Sequence, residues 1–373
     1  MDTKKIRAIG AILLVAVWAS LTVCMWFLPA KSVSEAERRP LAQMPEVKPE
    51  AILDGSFMSE FSAFTLDQFP LRDSFRTVKA LFHNYVLQQS DNNGIFLADG
   101  YAAKLDYPLN TDALSATLGR FQRVYESYLK EQGSTVFVSV VPDKGYYLAE
   151  KNGYPTLDYH AMFSQIKESM PWATFVDITD CLQAEDYYFT DTHWRQEKLI
   201  PAAKKLSDAL GVTPPQLENY TVTALERPFY GVYYGQAALP LPSETMYILE
   251  SELLKGCTVT GYDNMGKEIP LEVYNEADLQ SQDLYDIYLS GVESILKIKN
   301  PNAATDRELI IFRDSFGSSM APLLVQDYAE VTLIDIRYMN QNLLPMFVDF
   351  HGQDVLFLYS TLVLNNPDAF QMN

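Results

Sequence analysis

Cysteine is scarce in this chain of 373 residues, which contains only three. Cys24 lies within a long apolar stretch near the N-terminus, so Cys181 and Cys257 are the only thiols outside that stretch. Two cysteines do not make the disulfide framework of a small secreted scaffold, although an oxidising compartment would permit one bond between them. They also lack the ligand spacing that is typical of a zinc site. The sequence therefore predicts neither a disulfide-dependent fold nor a metal centre.

Positive charge is also scarce. The chain has 29 lysine and arginine residues against 48 aspartate and glutamate residues, a formal net charge of −19. Lys4, Lys5, Arg7 and Lys31 lie within the first 31 residues, where Asp2 is the only acidic residue. The rest of the chain is therefore more acidic than the whole. Nucleic acid and anionic lipid surfaces are poor partners for such a field, and we attribute the acidity to solubility.

One long hydrophobic run stands apart from this polar composition. Residues 8–28 carry no charge, and at a rise of 1.5 Å per residue they are long enough to cross about 30 Å of hydrocarbon. The basic residues before the run favour a cytoplasmic N-terminus. A cleaved signal peptide is the alternative, but the run is long and no clear small-x-small cleavage site follows before Lys31. We predict a single-pass signal anchor over residues 1–30, with the remainder outside the cytoplasm at the cell membrane.

The remaining chain is predicted to form a stalk and one α/β domain over residues 57–373. Residues 31–56 contain three prolines and are expected to be extended and poorly structured. Two amphipathic segments and a hairpin open the domain, at 57–67, 71–89 and 94–105. No internal repeat or low-complexity tract is evident.

Alternating strand and helix patterns then indicate an α/β sheet with parallel strands. The predicted strands are 135–141, 173–178, 308–312, 330–334 and 354–358. The predicted helices are 112–131, 158–169, 192–210, 315–326 and 339–347. Residues 213–300 break this rhythm because they are rich in Tyr, Pro and Gly with irregular apolar spacing. We expect an inserted irregular region there.

Ser315 follows a predicted strand and precedes a predicted helix in the run ELIIFRDSFGSSM. This arrangement presents a nucleophile at the carboxyl end of a sheet. The helix start offers unpaired backbone N–H groups that can stabilise an oxyanion, and Gly317 would let the backbone approach closely. The alternative is that Ser315 only caps the helix.

Asp191 and His193 stand two positions apart in the run YYFTDTHW. A serine hydroxyl is a weak nucleophile unless a nearby base activates it and a third group orients that base. His193, one of four histidines, is the candidate base, and Asp191 is the candidate orienting group. The alternative is a helix capped by Thr190 or Asp191, with Trp194 in the core. Because both runs lie where a loop meets a helix in a predicted α/β sheet, the two together indicate a Ser-His-Asp triad more strongly than either does alone, and the capping alternative stays open at this point.

The order of several motifs resembles that of the DHHW family, which is related to the alginate O-acetylation proteins with an SGNH-hydrolase-like domain. The resemblance covers most of the chain, from the N-terminal anchor through DTHW to DSFG. Further matching runs are ERRPLAQMP, DQFPLRDSF, NNGIFLADGY, VVPDKGYY, FYGVYYG and LIDIRYMN. Thr192 replaces the first His of DHHW, as it does in the alginate branch. The resemblance implies an SGNH-hydrolase-like parallel sheet flanked by helices, and a triad of Asp191, His193 and Ser315.

The resemblance further implies an extracytoplasmic O-acyltransferase that moves an acetyl group to a cell-surface or secreted polysaccharide. A membrane-bound acyltransferase partner would supply the acetyl group, and no soluble cofactor is required. Ser315 would attack the acyl donor while His193 takes its proton. The backbone N–H groups near Ser315 and Gly317 are the candidate oxyanion donors.

Three further side chains have two interpretations each. Arg337, at the end of the strand in LIDIRYMN, would either reach the site or pair with Asp335. Tyr188 would either stack on a sugar or pack in the core. Lys144 would either contact a ligand at the sheet edge or lie at the surface, and we expect the surface.

The sequence also permits two other functions. A carbohydrate esterase would use the same triad with water as the final acceptor, and only water access and acceptor binding separate it from a transferase. A cell-envelope scaffold or glycan-binding protein on a degenerate hydrolase fold would need no triad. The distance between Ser315 and His193 separates this last alternative from the first two.

Overall fold

The computed structural model describes residues 3–263 and 265–370. Residues 1, 2, 264 and 371–373, which belong to the predicted anchor and α/β domain, lie outside the described residues. The chain forms two compact units, which are Met1–Asn93 with Tyr234–Leu241, and Gly94–Tyr233 with Pro242–Asn373.

The first unit begins with a long apolar helix, α1 (Thr3–Phe27). Among the described residues it is the one helix that is long and apolar enough to cross a membrane. This agrees with the predicted single-pass anchor. The other elements of this unit before residue 82 are β1 (Val33–Ser34), β2 (Arg39–Pro40), α2 (Pro49–Leu53), α3 (Ser56–Asp67) and α4 (Arg72–Leu81).

The segment predicted as a stalk has more local structure than its prolines suggest. Strands β1 and β2 pair in an antiparallel ladder. Pro49 opens α2, where its missing N–H is not needed. The Arg39 guanidinium donates to both carboxylate oxygens of Asp67, at 2.8 and 2.6 Å, and so ties the segment to the end of α3. The expectation of a poorly structured stretch over residues 31–56 is corrected accordingly.

The second unit contains the α/β domain and most of the remaining strands and helices. Its strands are β3 (Ile95–Ala98), β4 (Tyr101–Lys104), β5 (Val136–Val141), β6 (Thr174–Phe175), β7 (Thr221–Ala224), β8 (Tyr247–Glu250), β9 (Thr258–Tyr262), β10 (Glu268–Leu271), β11 (Ile295–Lys299), β12 (Glu308–Arg313), β13 (Glu330–Ile334) and β14 (Asp354–Ser360). The helices that follow α4 along the chain are α5 (Thr111–Val124), α6 (Lys144–Leu148), α7 (Tyr159–Ser169), α8 (Ile200–Leu210), α9 (Val232–Ala237), α10 (Glu252–Gly256), α11 (Phe316–Met320) and α12 (Thr361–Leu364).

The core of this unit is an eight-stranded sheet in the order β10-β9-β11-β13-β12-β14-β5-β6. Strands β13, β12, β14, β5 and β6 run parallel, and β11, β9 and β10 extend the sheet in antiparallel fashion. Two small antiparallel pairs, β3 with β4 and β7 with β8, stand outside it. The predicted α/β class with a largely parallel sheet is therefore confirmed.

The parallel strands are apolar at nearly every position because both faces of the sheet are covered. In β5 all six side chains are buried. Val136, Val138 and Val140 pack in one hydrophobic cluster, while Phe137 and Val141 pack in the other. The period of two along the strand thus supplies both layers of the core.

The inserted region and the start of one helix also differ from their sequence expectations. The region expected to be an irregular insertion, 213–300, supplies β9, β10 and β11 to the main sheet, so part of it is regular. The helix predicted from residue 192 begins only at Ile200, where Pro201 suits the first turn. The residues before it form a loop and the short 3₁₀ turn Gln196–Lys198.

Candidate active site

The DTHW run forms a tight loop that doubles back on itself. Tyr187 and Trp194 make an antiparallel bridge, and the N–H of Tyr188 donates to the carbonyl of His193 at 3.1 Å. Trp194 is completely buried, and its indole N–H donates to the hydroxyl of Ser319 at 2.9 Å. These bonds explain why helix formation starts later than predicted.

Ser315 stands at the turn between β12 and α11. The carboxylate of Asp314 accepts the N–H of Phe316 at 3.0 Å and the N–H of Ser360 at 2.7 Å. It thereby joins this turn to the carboxyl end of β14. A β-carbon on Gly317 would lie 2.6 Å from that of Arg313, so only glycine fits there without movement. The predicted strand-turn-helix arrangement is present, and Ser315 is partly exposed at it.

Ser315, His193 and Asp191 form a continuous chain of hydrogen bonds. The Nε2 atom of His193 lies 2.7 Å from the hydroxyl oxygen of Ser315, and its Nδ1 atom lies 2.6 Å from Oδ1 of Asp191. A carboxylate beside Nδ1 assigns the proton to that nitrogen and leaves Nε2 free to accept. The arrangement can therefore raise the nucleophilicity of the serine hydroxyl.

Backbone groups of the FYGVYYG run hold the aspartate in place. The N–H of Val232 donates to Oδ2 of Asp191 at 2.8 Å. The N–H of Gly231 donates to the hydroxyl of Thr190 at 2.8 Å, and the N–H of Tyr233 donates to the carbonyl of Thr190 at 2.9 Å. The run therefore fixes the carboxylate that orients His193.

An aromatic ring orients the imidazole from one face. The rings of Tyr285 and His193 are stacked, with centroids 3.7 Å apart and planes 8° from parallel. The hydroxyl of Tyr285 lies 2.7 Å from that of Ser319, which also accepts from Trp194. Sequence reasoning missed Tyr285 because it lies in the irregular region, 92 residues after His193, with no motif around it.

Two buried charged side chains lie against the same loop. The ammonium group of Lys144 donates to the carbonyls of Tyr188 and Phe189, at 2.8 and 3.2 Å. Burial lowers the pKa of Lys144 to about 7, although Asp191 and Glu244 oppose that change. The carboxylate of Glu244 accepts the N–H of Phe189, and burial raises its pKa. The expectation that Lys144 lies at the surface is wrong, since it is 2% exposed.

Comparison with known proteins places the fold. No family model matches the sequence, and no curated protein matches it. A DHHW family protein from Eubacterium siraeum superposes with a TM-score of 0.60 at 22% identity, covering 76% of this chain and 96% of that chain. The fold is that of a DHHW family protein. The resemblance seen in the sequence motifs is thus confirmed at the level of the fold.

A second solved structure has a similar fold. Bacillus cereus PatB1, determined with a sulfonyl adduct, superposes with a TM-score of 0.61 at 17% identity. The match covers 75% of this chain and 98% of that chain. The shared portion therefore includes nearly all of each neighbour.

The remaining predicted site residues are not all available to a ligand. The N–H of Gly317 donates to the carbonyl of Asp314, at 3.1 Å. Tyr188 is fully buried among apolar and aromatic side chains, which gives it the packing role rather than a sugar-stacking one. Arg337 donates to both carboxylate oxygens of Asp335, at 2.9 and 2.6 Å, as its ion-pair interpretation predicted.

Proposed function

We propose that this chain is a membrane-anchored acyltransferase that moves an acetyl group to a hydroxyl of a polysaccharide outside the cytoplasm. Ser315 is the nucleophile, His193 the general base and Asp191 the group that orients His193. The observation that carries the proposal is the unbroken hydrogen-bond chain from Asp191 through His193 to Ser315. A scaffold would have no need of this alignment.

The reaction proceeds in two steps. In the first, the hydroxyl oxygen of Ser315 attacks the acyl carbonyl and His193 takes the hydroxyl proton. The tetrahedral intermediate then expels the donor's leaving group, which takes the proton from His193 and leaves an acyl-serine. In the second, a sugar hydroxyl attacks the acyl-serine, gives its proton to His193, and the proton returns to the Ser315 oxygen. The products are the acylated sugar and free enzyme.

The developing oxyanion needs preorganised donors. The N–H groups of Phe316 and Gly317 are occupied by Asp314. The backbone N–H of Ser315 itself has no hydrogen-bond partner within the described part of the chain, and it stands at the start of α11. We assign this N–H to the oxyanion, in place of the predicted N–H of Gly317.

The anchor fits this activity. Lys4, Lys5 and Arg7 lie at the start of α1, before its uncharged stretch, and favour a cytoplasmic N-terminus; the acidic remainder would then lie outside. At the cell membrane, a membrane-bound acyltransferase partner would supply the acetyl group.

The neighbour with a sulfonyl adduct supports a direct test. The PatB1 structure contains a sulfonyl adduct, and sulfonyl reagents react with nucleophilic side chains. A similar fold in this chain, with a serine in contact with a histidine, makes the same class of reagent a suitable probe of Ser315.

Transfer and hydrolysis are separated by following the acetyl group. Full-length protein in detergent is incubated with an aryl acetate and with chito-oligosaccharide or oligouronate acceptors. The proposal predicts acetylated oligosaccharide by mass spectrometry, and a loss of at least about 1,000-fold in rate for Ser315→Ala. Release of acetate with no acetylated acceptor would favour the esterase. No turnover of the ester in the wild type would favour the scaffold.

A further inference from the structure

Lys144 is an unusual feature of this site because a lysine is rarely buried without a carboxylate contact. It follows β5 directly after Asp143, which caps α6 by accepting the N–H of Gly145 at 2.6 Å. Its side chain extends to the loop at residues 187–194, where Nζ donates to the carbonyls of Tyr188 and Phe189. The cation is thus placed on the carbonyl side of the loop.

Glu244 contacts the other side of the same loop. Its carboxylate accepts the N–H of Phe189, and its second oxygen accepts the N–H of Thr190 at 3.3 Å. Backbone carbonyls therefore meet a cation, and the adjacent backbone N–H groups meet an anion. Charge-assisted bonds of this kind are about twice as strong as neutral ones. Lys144 and Glu244 therefore stabilise this conformation of the loop together.

The loop passes that constraint directly to the base. Tyr188, whose carbonyl accepts from Lys144, donates its own N–H to the carbonyl of His193. Two hydrogen bonds thus connect the ammonium group to the residue that contacts Ser315. A shift of Tyr188 would move His193 relative to both of its partners.

The surroundings of Lys144 combine burial with opposite charge. The carboxylates that face it are Asp143 on its own helix, Asp191 in the loop and Glu244. Two phenol rings also face it, with centroids 5.9 Å from Nζ for Tyr101 and 5.1 Å for Tyr233. Burial lowers the pKa to about 7 against these favourable contacts. Protonation of Lys144 therefore changes near neutral pH.

We propose that Lys144 is a positioning residue whose ammonium group holds the 187–194 loop so that His193 contacts Asp191 and Ser315 together. The inference rests on the proposed triad. When the ammonium group loses its proton, one of its three donors and its positive charge are lost, while the carboxylates of Asp191 and Glu244 remain. The loop is then held less firmly, and activity falls on the alkaline side of the pH profile.

Three variants of the full-length protein in detergent test this. Lys144→Met removes the charge and keeps the length of the side chain, Lys144→Arg keeps a cation that does not deprotonate, and Lys130→Met is a matched control at an exposed lysine. The rate of aryl acetate hydrolysis is measured from about pH 6 to about pH 9, with kcat and KM determined separately.

The proposal predicts that the two Lys144 variants differ from the wild type in different ways. Lys144→Met lowers kcat by about 10- to 100-fold with KM within about twofold. Lys144→Arg loses the alkaline fall in kcat that the wild type shows, because its guanidinium stays charged. Lys130→Met has the wild-type profile. If Lys144 had only a structural role, its replacement by arginine would leave the alkaline fall in kcat unchanged.

Wild-type kcat in a folded Lys144→Met protein would overturn the proposal. If Lys144→Met does not fold, an unaltered alkaline limb in Lys144→Arg overturns it. If the wild type hydrolyses no ester, the proposed function fails, and amide hydrogen exchange over residues 187–194 decides the positioning role separately. That exchange should accelerate beyond its intrinsic pH dependence near neutrality in the wild type but not in Lys144→Arg; equal behaviour would contradict the proposal.

Discussion

The backbone of Gly231 lies directly against that of Asp191, so closely that a β-carbon on Gly231 would stand 2.3 Å from the Asp191 α-carbon. No side chain fits at this distance without moving one of the two segments. The contact brings the N–H of Val232 to the Asp191 carboxylate. Gly231 therefore lets the FYGVYYG run contact the DTHW run closely, and both runs contribute to one site.

Gly231→Ala should displace the loop that carries Asp191 and His193. Because a misplacement of about 1 Å at a catalytic group costs about 100-fold in rate, we expect kcat/KM for an aryl acetate to fall by about that factor. Gly119→Ala is the matched control, since its β-carbon would meet nothing closer than a flexible arginine end at 3.8 Å. Equal rates for the two variants would show that the close approach has no bearing on activity.

Tyr285 is expected to act through its ring more than through its hydroxyl. Tyr285→Leu removes the surface on which His193 is stacked, and kcat should fall by about tenfold. Tyr285→Phe keeps the ring and loses only the bond to Ser319, which is worth about 1 kcal/mol of stability. Steady-state kinetics together with urea unfolding separates the two effects. A larger loss of kcat in the phenylalanine variant would refute the stacking role.

Asp314 should matter chiefly to the stability of the Ser315 turn. It is fully buried, and Asp314→Ala would leave the N–H groups of Phe316 and Ser360 without their acceptor. Unsatisfied buried donors cost about 1–3 kcal/mol each, so for the two N–H groups we expect a loss of about 2–6 kcal/mol in the free energy of unfolding. Asp158→Ala, at an exposed helix cap, should cost only about 1 kcal/mol. Similar losses in chemical denaturation would contradict this account of the turn.

The stability of the folded chain should depend on pH through Lys144. Its folded pKa is about 7, below the ordinary value of 10.5. Between these values the unfolded chain binds more protons, so the free energy of unfolding rises with pH over that range. The corresponding contribution is complete above about pH 10.5 and is lost as the pH falls through about 7.

Lys144→Met removes this dependence. Urea unfolding near pH 7.5 and near pH 9.5 should therefore show the wild type gaining at least about 1 kcal/mol more than the variant over that interval. Other titrating groups contribute equally to both proteins and cancel in the comparison. Parallel curves would mean that Lys144 keeps an ordinary pKa.

The residues of the candidate triad were predictable from their types and their positions in the sequence. The residues that contact them from distant parts of the chain were not. Asp191, His193 and Ser315 stand out because their types suit a triad and a turn after an apolar strand exposes the serine. Tyr285 and Glu244 carry no such mark, since a tyrosine and a glutamate in an irregular region have many possible roles. Only the fold shows that they contact the loop at 189–193.

The fold itself shows the same division. Strands such as Val136–Val141 and Glu330–Ile334 were predictable, because burial on both faces leaves an apolar run. Strands β9 and β11 were not, because Thr, Lys and Gly interrupt their apolar residues near the edge of the sheet. The sequence predicts a surface position for Lys144 because a lysine is seldom buried, and its partners are backbone carbonyls that no side-chain pattern reveals.

The most direct test of the triad is covalent trapping of Ser315. Full-length protein in detergent is treated with phenylmethylsulfonyl fluoride, and the modified residue is identified by peptide mass spectrometry. The account predicts an adduct on Ser315 in the wild type and in the surface control Ser127→Ala, with labelling slowed by at least about 100-fold in His193→Ala. Absence of an adduct on Ser315 in the wild type, or labelling at an unchanged rate in His193→Ala, would contradict it.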